Sequence, residues 1–134
     1  MFSIGNKIKE ELLSNTNITT LVGTNIFNLI VVTNEKNPIN PPYIVIEIDS
    51  ISPNRTKDHY IFDDISFSVI IIASKYNDLV TISEAIKTAL EYKNIQSDNK
   101  LIETILFDSY RENFNIDFQV YNSKLTFTSK VITL

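Results

Sequence analysis

The chain has 134 residues, 43% of them hydrophobic and 21% charged, with 12 Lys and Arg against 16 Asp and Glu for a formal charge of −4. That length and balance fit one globular domain with a sizeable core, and the acidic surplus excludes the broad basic field that non-specific nucleic-acid binding requires. The absence of cysteine excludes disulfides, thiolate nucleophiles, iron–sulfur clusters and Cys-based zinc sites, and the single histidine, His59, excludes a His-rich metal centre.

Phe2 to Ser14 has helical periodicity: Ile4, Ile8 and Leu12 recur every fourth residue, Leu13 widens the stripe, and Lys7, Lys9, Glu10 and Glu11 take the other side. Ser3 is placed to cap its start. This amphipathic beginning differs from an apolar secretory leader. Asn15 to Asn17 breaks the pattern, Ile18, Leu21 and Val22 predict a further helical turn, and Gly23 suits the residue that follows it. Ile26 to Val32 is β-prone. Thr33 to Pro42, with three prolines and several asparagines, reads as loop. Tyr43 to Asp49 alternates as a strand, and Ser50 to His59 reads as a charged loop.

Tyr60 to Ser74 predicts a long strand, with Ile65, Phe67, Val69, Ile71 and Ala73 on one face and Ile70 and Ile72 joining Ser66 and Ser68 on the other. Apolar residues on both faces of its middle predict a central strand covered on both sides. Its densest apolar run, Val69 to Ala73, is far shorter than the roughly 20 residues that span a bilayer, so the expected setting is the cytosol or something assembled there. Asn77 to Tyr92 predicts a helix with the stripe Leu79, Ile82, Ile86 and Leu90 and with Asn77 as cap; Lys93 to Asn99 reads as polar linker. Lys100 to Arg111 predicts a strand with Leu101, Ile105 and Phe107 inward. Glu112 to Asn122 fits either strand or ordered loop, and Ser123 to Thr133 predicts a last strand with Leu125, Phe127 and Val131 inward. The expected fold is α+β: one domain over 1–134, with a single mixed, mostly antiparallel sheet of about five or six strands. The N-terminal helix and one long helix pack on one face of it.

Few residues invite chemistry. Asp63 and Asp64 are adjacent, so a strand would point them to opposite faces and deny a paired-carboxylate site. Asp49, Asp58 and His59 bracket the charged loop, where a carboxylate beside an imidazole would serve as a general base; exposed loop polarity is the favoured account of them, and no activated nucleophile accompanies them. Arg55, Lys57, Arg111 and Lys124 are scattered among acids. Phe114, Phe118 and Tyr121 suit a core or subunit interface more than a stacking platform. With only Gly5 and Gly23, no phosphate-cradling loop exists. The expectation is no enzyme, no cofactor and no metal. Interface candidates are Arg55, Lys57, His59 and Tyr60, because binding function concentrates on loops.

The order of elements resembles the tail-completion or tail-terminator proteins of the necks of long-tailed bacteriophages. Five stretches carry the resemblance. They are Ile8–Leu13 with Ile18–Gly23, Ile26-Phe27, Pro41–Ile46, Ile65–Ile71 with the helix Ile82–Leu90, and Val120-Tyr121-Asn122 leading to Leu125-Thr126-Phe127. The resemblance implies a virion protein assembled in the bacterial cytoplasm that forms a ring, commonly a hexamer, on the tail tube. Its implied partners are copies of itself, the tail-tube protein and the head-connector or head-closure protein, with DNA passing through the lumen and no membrane contact. Competing readings are a head-closure or minor tail protein of the same virion, and a non-viral acidic module that binds a basic partner.

Overall fold

The computed structural model describes residues 4–29, 40–55, 60–97 and 99–133. Among these residues three helices, α1 (Ile4–Leu13), α2 (Thr16–Val22) and α3 (Tyr76–Leu90), accompany six strands: β1 (Ile26–Asn28), β2 (Tyr43–Arg55), β3 (Tyr60–Ala73), β4 (Ile95–Ser97), β5 (Lys100–Asn115) and β6 (Val120–Thr133). The strands form one sheet in the order β1-β2-β3-β6-β5-β4. Among these six strands only β1 and β2 pair in parallel; their other pairings are antiparallel. The class is therefore the expected one. The sheet curls into a half-barrel, and α1 touches β1 and β2 near one edge and β4 at the other.

The stripe that predicts α1 is the stripe that packs: Ile4, Ile8 and Leu12 are its buried residues. Asn15 starts α2 by accepting the amides of Asn17 and Ile18 on its side-chain oxygen. Gly23 closes α2 at φ 65°, where a side chain would be strained. Leu79, Ile82, Ile86, Ala89 and Leu90 seat α3 on β3 and β6. These join Phe67, Val69, Ile71, Leu125, Phe127 and Val131 in one core. Fully burying a side chain of this size contributes about 1.5–3 kcal/mol, so the shared face of helices and sheet dominates stability.

Several expectations need correction. β2 does not stop at Asp49. A bulge between Ile48 and Ser50 lets it continue opposite β3 to Arg55, so half of the expected charged loop is strand. Among the described residues no helix packs on the second side of β3, and Ile70 and Ile72 there are only half-buried. Asn77 does not cap α3; Lys75 occupies that position without a side-chain hydrogen bond, and the hydroxyl of Thr81 bonds back to the carbonyl of Asn77. The expected linker contains β4, which pairs with the start of β5. Two register shifts in β5 turn Ile102 and Ile105, rather than Leu101, into the core. The first shift is pinned where Thr104, at φ 36°, donates its amide to Asn94 Oδ1 at 2.6 Å. The ambiguous stretch after Arg111 is strand to Asn115, a turn over 116–119, and strand again from Val120. Ser3 and the β-prone residues 30–32 lie outside the described residues.

Candidate functional site

Two surfaces carry unusual side chains. The first is the face of the sheet opposite the helices. β3 presents Ser66, Ser68, Ile70 and Ile72 there, because the alternate set enters the core. The extra residue of the β2 bulge, Asp49, accepts a 2.6 Å hydrogen bond from Ser68 Oγ, which also lies 3.3 Å from Thr126 Oγ1. Lys124 Nζ stands 4.0 Å from Glu47, and Lys130 lies over the Phe62 ring at 4.5 Å. An open groove of about 600 Å³ crosses this face between β2 and the β5 bulge, lined by Ser50, Ser52, Asp64, Ser66, Leu106 and Thr128. Six of its eleven lining residues are serine or threonine, and Lys130 stands opposite Asp64 on β3 and Glu103 on β5.

The second surface is the β5–β6 hairpin and the flank of α3. Tyr110, Glu112 and Phe114 project on the helix side of β5. Glu112 receives two phenols: Tyr110 donates to Oε2 at 2.8 Å and Tyr76 on α3 donates to Oε1 at 3.1 Å. Partial burial, then the bond to Glu112, pushes the Tyr110 phenol up to about 12. The bond to Glu112 is also the main cause that raises Tyr76. Phe114 and Tyr121 pack at 4.8 Å, and Tyr76 meets Tyr121 edge-on at 5.7 Å. Beyond them the turn leaves Ile116 and Phe118 at 78% and 77% exposure. Asn115 shapes that turn by accepting the amides of Asp117 and Phe118. Together with the half-exposed Phe114, these side chains make the end of the hairpin a candidate contact surface.

The interface candidates separate. Arg55 is exposed at the end of β2, and Tyr60 stands opposite it at the start of β3. Lys57 and His59 lie outside the described residues, as does Asp58. Of the scattered cations, Arg111 and Lys124 come together as cross-strand neighbours. Asp63 is buried while Asp64 is exposed, as alternation requires. Phe114 and Phe118 are surface residues rather than core. Sequence reasoning missed the Glu112 clamp, which depends on α3 returning across the sheet to β5. It also missed the Asp49–Ser68 contact, which depends on a bulge. Among the described residues, no three His, Cys, Asp or Glu side chains are grouped to hold a metal ion, and no helix is long and apolar enough to cross a membrane.

No family model matches the chain, and no curated protein matches it. Its fold does match a chain in the solved virion of a native gene transfer agent particle, with a TM-score of 0.79 and 13% identity, over 93% of this chain and 91% of that one. At that identity the likeness is one of fold.

Proposed function

We propose that this chain is a structural subunit of a phage-like virion, working by stoichiometric assembly rather than turnover. The observation that carries the reading is the near full-length fold likeness to a chain of a gene transfer agent virion. The finer role we propose is tail completion: copies close into a ring, with hexamer as the expected number, on the end of the tail tube. The ring's other side receives the head connector. The order of sequence elements supports this role, as does a hairpin turn that exposes Ile116 and Phe118. The net charge of −4 suits a protein beside passing DNA, since phosphates are repelled and not held. The contact residues we propose are Arg55 and Tyr60, with Lys57 and His59 beside them in sequence.

The test mixes purified protein with tail tubes built from the tail-tube protein of the same virion. The mixture is then examined by light scattering and negative-stain imaging. Rings, free or seated at one tube end, are the expected result. A chain that stays monomeric with and without tubes and connector overturns the reading. Binding to the connector alone turns it toward head closure.

A further inference from the structure

The two sides of the sheet are stepped, and the steps complement each other. On one side β1 covers only Ile44–Ile46 of β2, which runs on to Arg55 with Ser52–Arg55 exposed. On the other side β4 covers only Lys100–Ile102 of β5, which runs on to Asn115 with Asp108–Phe114 exposed. Among the described residues, no further strand pairs with either overhang.

The register shows the levels at which these steps lie. Phe27 is opposite Val45, Val45 opposite Ile70, Ile70 opposite Lys124, and Lys124 opposite Arg111. Ile95 is opposite Ile102, Ile102 opposite Val131, Val131 opposite Asp63, and Asp63 opposite Pro53. So β1 protrudes at the level where β5 is bare, and β4 protrudes where β2 is bare. Polarity agrees. β1 and β2 run against β3, and β5 runs with it. A second copy beside the first, in the same orientation, therefore sets its β1 antiparallel to the first copy's β5.

We infer that copies of this chain join side to side by continuing the sheet, with β1 of one copy pairing with β5 of the next around Arg111. The inference rests on the self-assembly proposed above and names its joint. The contact is heterologous, two different patches meeting, which is the kind that closes a ring. Exposed strand edges are pairing templates, and this arrangement uses both overhangs. Phe27 and Arg111 lie on the same sheet face, so the Arg111 guanidinium of one copy meets the Phe27 ring of the next, a favourable pairing. Pro53 offers no N–H, so the β1–β5 joint carries the hydrogen bonding more than the β4–β2 side does.

The cysteine-free sequence makes the test clean. Within one chain, Phe27 and Arg111 are four strand spacings apart, roughly 19 Å at about 4.8 Å each, beyond disulfide reach. The variant carrying Phe27→Cys and Arg111→Cys is oxidised in the assembled state and run on a non-reducing gel beside each single variant. A ladder of covalent multimers from the double variant, absent from both singles, is the expected result. A pair with Asn113→Cys in place of Arg111→Cys, two residues along the same face, yields the ladder if the neighbour is displaced by one pair, and so also supports the joint. Oligomers by light scattering with no ladder from either pair overturn the edge joint while leaving self-assembly standing. Folded chains, by circular dichroism, that never associate even with tail tubes overturn both.

Discussion

Ser83 on α3 and Ser123 on β6 place their hydroxyls 2.8 Å apart in the core, where the two residues are 4% and 0% exposed. The two ends of this bond are unequal. Ser83 also donates to the Leu79 carbonyl at 2.7 Å, whereas among the described residues Ser83 is the one partner of the Ser123 hydroxyl. A buried hydroxyl left without a partner costs about 1–3 kcal/mol. Ser83→Ala is thus expected to destabilise more than Ser123→Ala, and the double variant less than the sum of the two. The coupling should be at least about 0.5 kcal/mol. Urea unfolding of the three variants measures it; additive effects of equal size would contradict the assignment.

Phe67, Phe127 and Phe107 form a row across β3, β6 and β5. Phe67 and Phe127 stack at 5.3 Å, and Phe107 meets Phe127 edge-on at 5.8 Å. Phe67 has no exposed surface. Phe67→Ala is expected to cost about 3–5 kcal/mol, from lost transfer energy and the cavity left behind. Phe107→Ala should cost less, because that ring sits at the rim under Lys87, whose Nζ is 5.2 Å from its centroid. Denaturant midpoints compare the two, and a larger loss for Phe107 would be inconsistent with this packing.

Tyr110 gives the fold a dependence on alkaline pH. Its phenol keeps its proton to about 12 when folded, against an ordinary value of 10.0. Unfolding therefore releases a proton between those values, so stability that is fully present below 10.0 is lost as pH rises through that window. Tyr110 is 42% exposed, so solvent screens part of the effect. A tyrosinate absorbance titration, with Tyr110→Phe to assign the late phase, is the measurement. Glu112→Gln should bring Tyr110 down only in part, since burial is the larger cause. An ordinary titration for Tyr110 in the parent protein would refute the clamp.

Assembly and stability should separate at the surface. Ile116→Ser with Phe118→Ser removes two exposed apolar side chains from a turn pinned by Asn115. Unfolding free energy should change by no more than about 0.5 kcal/mol, as surface substitutions do, while ring yield or tube capping drops. Arg55→Glu should likewise weaken assembly more than folding, because the residue is exposed at the end of β2. Unchanged assembly with a lowered melting temperature would count against both assignments.

The elements that were legible in sequence are those whose period and burial agree. Ile4, Ile8 and Leu12 repeat every turn and all enter the core; Ile65, Phe67, Val69, Ile71 and Ala73 alternate and all enter it too. What sequence hid was set by non-local pairing. Pro53 within a charged stretch looked like loop, yet an edge position tolerates a residue with no N–H to give, and the bulge at Asp49 carried β2 past it. Ile102 displaced Leu101 because Asn94, ten residues before Thr104, holds the backbone out of regular register. The paired phenols on Glu112 unite residues 36 and 2 positions apart in sequence, which no local pattern encodes.

β6 lies between β3 and β5 and pairs with both. Without it those two strands have no common neighbour, and the sheet divides into two unjoined pieces, β1-β2-β3 and β5-β4. This 14-residue strand is therefore a keystone: whatever frees it opens the core on one face and the hairpin rim on the other together.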